Sequence, residues 1–307
     1  MNMIYIRGLF FGGILCLSQS IHAQSKGIGD VAIAFGTKLD AQTQMEESKA
    51  LAKQITDVSS TQWRQKGDQK RCYFFSEANE VMPYRLCVPN HWDGTSKLPL
   101  IMFLHGGWND ESSYLDANDK QMVKLADAMG YILVSPLGCH GAYGNDLILP
   151  AVFGEETVSK EIIANGRNKT HSKRDQELSE KDVINVLELV LAEYPIDRNN
   201  MFLMGHSMGG GGTWYIGAKY SCYWTALAPM SGPFVLKEGY PWKNLRHIPV
   251  FISEGTKSAT LSSRLIYNWM AENDYEVEYM EVNKGHGEMI PPVLPVVFSF
   301  FDRIRNR

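Results

Sequence analysis

The sequence predicts an α/β fold, a mostly parallel sheet with helices on both faces. Three observations carry this. Near-continuous apolar runs such as Leu98-Pro-Leu-Ile-Met-Phe-Leu recur along the chain, the pattern of strands covered on both sides. They alternate with segments of helical periodicity, which implies crossover connections between parallel neighbours. A chain of 307 residues, 44% hydrophobic and 21% charged, with no internal repeat, suits one large globular domain.

Residues 1–23 read as a signal peptide. Arg7 precedes a short apolar core that begins at Gly8, and Ser20-Ile-His-Ala offers cleavage after Ala23. The core is short for a membrane span, and Leu15 before Cys16 is bulky where a lipid-modified cysteine usually follows a small residue. The implied location is secreted or periplasmic, with no membrane partner. Cleavage removes one positive charge from a chain of net charge −4. An acidic chain with no basic cluster gives no support for nucleic-acid binding. Residues 24–70 are polar and helix-prone around Ala41 to Lys53, an expected helical appendage on a main domain over 71–307.

Arg71–Phe75 and Pro83–Val88 read as an antiparallel hairpin at a sheet edge. A turn centred on Asn79-Glu80 would set Cys72 opposite Cys87 and allow a disulfide in an exported protein. Cys139–Cys222 is then the remaining pair; the alternative is four buried thiols. Leu98–Leu104 is the first buried strand and His105-Gly-Gly ends it. Lys120–Met129 is helical, Gly130 stops it, and Tyr131–Ser135 is the next strand. Residues 137–178 break the rhythm. They are polar and glycine-bearing, and they follow a strand's carboxyl end, where such sheets bind ligands. A lid-like insertion is expected there, with a plain surface loop as the alternative. Ser179-Glu-Lys-Asp182 resembles a capping box opening a helix through Val190. Strands follow at Arg198–Met204, Trp224–Met230, Pro249–Ser253 and Val277–Val282, and helices at Thr213–Tyr220, Leu261–Met270 and Val293–Ile304.

The chemistry centres on Gly205-His-Ser-Met-Gly209, between a strand and a helix. In that context the serine sits on a tight turn, the nucleophile elbow, with the helix N-terminus behind it favouring negative charge. Ser207 is the expected nucleophile and needs a base. Of the two histidines that follow it, His247 precedes a strand at the wrong end of the sheet. His286 lies in a glycine-flanked loop after the last strand, where it can reach back. The expected oxyanion donors are the amides of Met208 and Gly107, with Trp108 the neighbour that could replace Gly107. Trp108 is also a candidate to line the acyl pocket. Tyr143 and Trp214 suit aromatic or sugar esters and equally a packed core. Neither C-x-x-C nor H-E-x-x-H occurs, so neither a metal nor another cofactor is expected.

His105-Gly-Gly, Gly205-His-Ser-Met-Gly-Gly and Gly285-His286, in this order, resemble the α/β-hydrolase superfamily. Pro83-Tyr-Arg-Leu-Cys-Val-Pro before the His-Gly-Gly strand is similar to its branch of secreted polyhydroxybutyrate-depolymerase-like and feruloyl-esterase-like enzymes, relatives of prolyl oligopeptidase domains. The resemblance covers about 71–305 and implies a cofactor-free serine hydrolase that cleaves small or polymer-attached carboxylic esters through an acyl-enzyme. A peptidase, or a binding protein on a hydrolase scaffold, are the rival readings. The acid departs from the family pattern: Ser258 stands where His-Gly-x-x-Asp would put aspartate. Glu254 is the nearest carboxylate, Asp274 and Glu276 come next, and a site with no acid is the third possibility.

Overall fold

The computed structural model describes residues 4–6, 41–139, 141–144, 172–233, 235, 237, 240–258 and 260–307. Among these residues the strands are β1 (Ile4–Ile6), β2 (Gly67–Phe75), β3 (Glu80–Val88), β4 (Leu98–Leu104), β5 (Ile132–Pro136), β6 (Ile196–His206), β7 (Ala226–Met230), β8 (Val250–Gly255) and β9 (Val277–Val282). The helices longer than one turn are α1 (Ala41–Ile55), α2 (Ser113–Met129), α3 (Lys173–Glu193), α4 (Met208–Lys219), α5 (Thr260–Glu272) and α6 (Ile290–Arg305).

The strands form one sheet in the order β1-β9-β8-β7-β6-β4-β5-β3-β2. Pairs from β5 through β4, β6, β7 and β8 to β9 are parallel, and the hairpin β2–β3 joins antiparallel to β5. Strands β4, β5, β7 and β8 are buried at every residue, as their unbroken apolar sequences require. One face of the sheet is covered by α1, α3, α4 and α5, the other by α2 and α6. This is the α/β-hydrolase fold. Strand β1, inside the segment expected as a signal peptide, pairs antiparallel with β9.

Strand β4 lies between β5 and β6. The chain leaves β4 toward β5 and then returns past β4 to β6, so the direction of strand addition reverses there. At such a switch point the loops leaving the two strands diverge and open a crevice at their carboxyl ends. The loops after β4 and β6 carry His105-Gly-Gly and Ser207.

Three expectations change. The hairpin turn spans Ser76–Asn79, so Cys72 faces Pro83 and Cys87 faces Asp68. The two cysteines stand four residues apart along the ladder, about 13 Å at ordinary strand rise and beyond disulfide reach. Cys72 is an exposed thiol and Cys87 a buried one; Cys222 is also unbridged, so the Cys139–Cys222 pair is absent too.

Helix α3 begins earlier than expected. Its capping box is Ser172 with Asp175, not the same pattern repeated at Ser179 and Asp182. The second pair is buried inside the helix and holds the loop after β5. The Tyr143 N–H donates to Ser179 Oγ (2.8 Å), and the N–H groups of Gly138 and Cys139 donate to Asp182 Oδ2 (2.8 and 3.2 Å). Tyr73 donates its hydroxyl to Asp182 Oδ1 (2.6 Å). The expected insertion at 137–178 is thus pinned at its first turn, while residues 140 and 145–171 lie outside the described ones.

Helix α2 also starts earlier, at Ser113, but leaves helical dihedrals from Ala117 to Lys120. The stretch after that break is the expected helix, and Gly130 ends it at φ 74.

Candidate active site

Ser207 stands between the end of β6 and the start of α4 with φ 59 and ψ −116, a strained conformation for a residue with a side chain. Its neighbours hold it there. Its N–H donates to the Met230 carbonyl at the end of β7 (2.9 Å), and its carbonyl accepts from the Gly211 N–H (3.0 Å). The turn requires α4 to press on β4: a Cβ at Gly209 would lie 1.9 Å from the Leu104 carbonyl oxygen. The spacing of the glycines in the motif therefore reflects close backbone approach.

His286 lies in the exposed loop after β9, with Nε2 2.7 Å from Ser207 Oγ. A second histidine supports it from below. His206 Nε2–H donates to the His286 carbonyl (2.9 Å), which leaves His206 Nδ1 to accept from the Tyr114 hydroxyl (2.6 Å). The two imidazole rings are 4.6 Å apart. Burial, with the nearby His286, pushes the His206 pKa down to about 3, so this ring stays neutral and clamps the loop. His247 is exposed just before β8, at the end of the sheet away from Ser207.

Glu254 is fully buried near the end of β8. It does not meet the imidazole directly, because Ser231 stands between them. The Ser231 hydroxyl lies 2.5 Å from Glu254 Oε1 and 2.8 Å from His286 Nδ1. Ser258 Oγ is also near Nδ1, at 3.2 Å. Glu254 accepts further bonds from Ser263 Oγ (2.8 Å) and the Gly255 N–H (3.1 Å). Burial raises its pKa; the bonds from Ser231, Ser263 and Gly255, and the charge of His286, oppose the rise. Asp274 and Glu276 are exposed ahead of β9, at the opposite end of the sheet, and Glu276 pairs with Arg307 (2.5 Å).

The loop after β4 closes the other side of the crevice. A Cβ on Gly106 would lie 3.4 Å from Ser207 Cβ and 2.6 Å from the Tyr114 hydroxyl, so glycine lets this loop approach Ser207 without displacing Tyr114. Gly107 follows on its open side, where a Cβ would meet nothing within 4 Å. Met208 is the first residue of α4, and its N–H is among those a helix start leaves without an intrahelical acceptor. His105 ties the loop down, with Nε2 2.8 Å from the Leu137 carbonyl oxygen.

The chain matches the Esterase family over residues 76–270, more than half of its length. It belongs to that family. A curated relative, the bifunctional acetylxylan esterase/xylanase XynS20E of Neocallimastix patriciarum, is 26% identical over 172 residues, 56% of this chain. The chain spans about a fifth of that protein's length (21%). Among solved structures, FphF, a fluorophosphonate-binding serine hydrolase of Staphylococcus aureus, superposes with a TM-score of 0.56 at 17% identity, covering 76% of this chain and 98% of that one. A ferulic acid esterase gives a TM-score of 0.55 at 18% identity over 78% and 99%. S-formylglutathione hydrolase FrmB of Staphylococcus aureus gives 0.57 at 15% over 76% and 96%. At these identities the likeness concerns the fold.

The aromatic side chains singled out in the sequence divide cleanly. Tyr143 and Trp214 are core residues, 0% and 1% exposed. Trp108 is fully exposed at φ 66 on the loop after β4. Among the described residues no cluster of His, Cys, Asp and Glu is arranged to hold a metal, and no helix is long and apolar enough to cross a membrane. Sequence reasoning missed Ser231, His206 and Tyr114. Ser231 had one signal: it directly follows the strand next to the elbow strand, a position at the carboxyl edge of the sheet.

Proposed function

We propose that this esterase is an exported serine hydrolase that cleaves small or polymer-attached carboxylic esters through an acyl-enzyme. The observation that carries the reading is the 2.7 Å approach of His286 Nε2 to the Oγ of Ser207 on a strained elbow. Ser207 Oγ attacks the ester carbonyl carbon as its proton passes to His286 Nε2. The amides of Gly107 and Met208 receive the oxyanion, helped by the N-terminus of α4. The imidazolium returns the proton to the leaving alkoxide, and the alcohol departs. Water then gives a proton to His286 as its oxygen attacks the acyl carbon, and the imidazolium returns that proton to Ser207 Oγ as the acid leaves. Glu254 supports the positive imidazole from within the sheet. Residues 1–23 support export, and fully exposed Trp108 beside Gly107 offers a ring-shaped contact for the part of the substrate outside the crevice.

Replacing Ser207 by Ala is expected to lower kcat/KM on short-acyl, feruloyl and polyester substrates by about 10³ or more, with an unchanged melting curve. Activity above a few per cent of wild type on every substrate would reject Ser207 as nucleophile.

A further inference from the structure

The strand ends where a carboxylate could face the base both carry serine in this chain. Ser231 follows β7 and Ser258 follows β8, and both hydroxyls lie within 3.2 Å of His286 Nδ1. The carboxylate is one shell further back, at Glu254, fully buried. From this geometry we infer that Ser231 is a positioning residue that transmits the Glu254 charge to His286, in place of a carboxylate bonded directly to the imidazole. The inference rests on the serine-hydrolase reading of Ser207 and His286.

Donor and acceptor bookkeeping fixes the order of the chain. An ionised carboxylate only accepts, so the Ser231 proton points to Glu254 Oε1, 2.5 Å away, within the range of a charge-assisted O–H···O⁻ bond. The Ser231 lone pairs then face His286, and Nδ1 must carry the proton donated across 2.8 Å. That sets the tautomer: Nε2 is unprotonated toward Ser207. No proton leaves Ser231 or reaches Glu254 during turnover; the serine is polarised, and its oxygen becomes a stronger acceptor as the imidazolium forms.

The surroundings fit this role. Ser231 is 2% exposed and held at φ 48. Its N–H donates to the Ser253 carbonyl (2.9 Å), which locks it against β8. Glu254 is braced by Ser263 from α5 and by the Gly255 N–H. The other ionisable ring against His286 is His206, kept neutral by burial, so it brings no competing charge to the imidazolium.

The test is a double-mutant cycle on the full chain with a soluble short-acyl ester. Glu254→Gln and Ser231→Ala are each expected to lower kcat by about tenfold or more with KM within about threefold. Together they should cost no more than about twice the larger single effect, since both break one line of influence. Ser231→Gly, which suits φ 48, replaces the alanine variant if that one fails to fold. Multiplicative effects in the double variant, a Ser231 variant within twofold of wild type, or a silent Glu254→Gln would each overturn the relay. Those results leave Ser207 untouched, whereas an active Ser207→Ala variant would remove the reading beneath it.

Discussion

At the scale of single residues, the site depends on places where a side chain is forbidden or a charge is withheld. A methyl group at Gly209 would overlap the Leu104 carbonyl, and backbone cannot step aside as a flexible side chain can. Gly209→Ala is therefore expected to cost about 3 kcal/mol or more in a urea titration; a loss under about 1 kcal/mol would contradict the close approach. His206 makes a second, pH-dependent prediction. The unfolded chain protonates it below its ordinary 6.5, while the folded protein resists until about 3. The stability from keeping it neutral is fully present above pH 6.5 and is lost as pH falls toward 3. Gln at 206 can still donate to the His286 carbonyl but does not titrate, so H206Q should flatten the stability–pH curve over that window. An unchanged slope would contradict the assignment. Ser207 and His286 were legible in the sequence because motif and chain order constrain them. Ser231 was not, because its one signal, following the strand beside the elbow strand, gains chemical meaning only when the fold places it next to an imidazole.

At the scale of elements, helix α3 shows how one sequence pattern serves two ends. Ser172-Lys-Arg-Asp175 caps the helix, and Ser179 with Asp182, one further stretch along, holds the loop after β5. Sequence spacing cannot tell the two apart; burial does. Asp182 gives a pH dependence of the opposite sign to that of His206. Burial raises its pKa from 3.8 to about 6, so the folded protein holds a proton that the unfolded chain has released. Its contribution is fully present below pH 3.8 and is lost as pH rises through about 6. Asp182→Asn should remove that decline, so the variant gains on wild type between pH 4 and 7 in thermal melts. A constant difference would refute it. The hairpin was read with the right strands and the wrong register, because residues 76–79 hold no two-residue turn signal to fix it. The observed register predicts that iodoacetamide modifies Cys72 in the native protein and Cys87 only after unfolding, since burial and Asp68 hold the Cys87 thiol protonated. A Cys72–Cys87 peptide in a non-reduced digest would contradict it.

At the scale of the whole molecule, the alternation of apolar runs and amphipathic helices was enough to foresee the parallel sheet, the antiparallel hairpin at one edge and helices on both faces. Strand order was not foreseeable in the same way, since it depends on which faces bury best against each other. That order builds the candidate site. The reversal at β4 opens the crevice, β6 and α4 present Ser207, the loop after β4 approaches it through Gly106, and the loop after β9 returns His286 across the top. We propose that together these parts activate Ser207. The most direct measurement is covalent labelling with a fluorophosphonate, followed by peptide mass spectrometry. One adduct per chain on Ser207, abolished when His286 is changed to Ala, is the predicted result. An unlabelled protein, or an adduct on another residue, would contradict it.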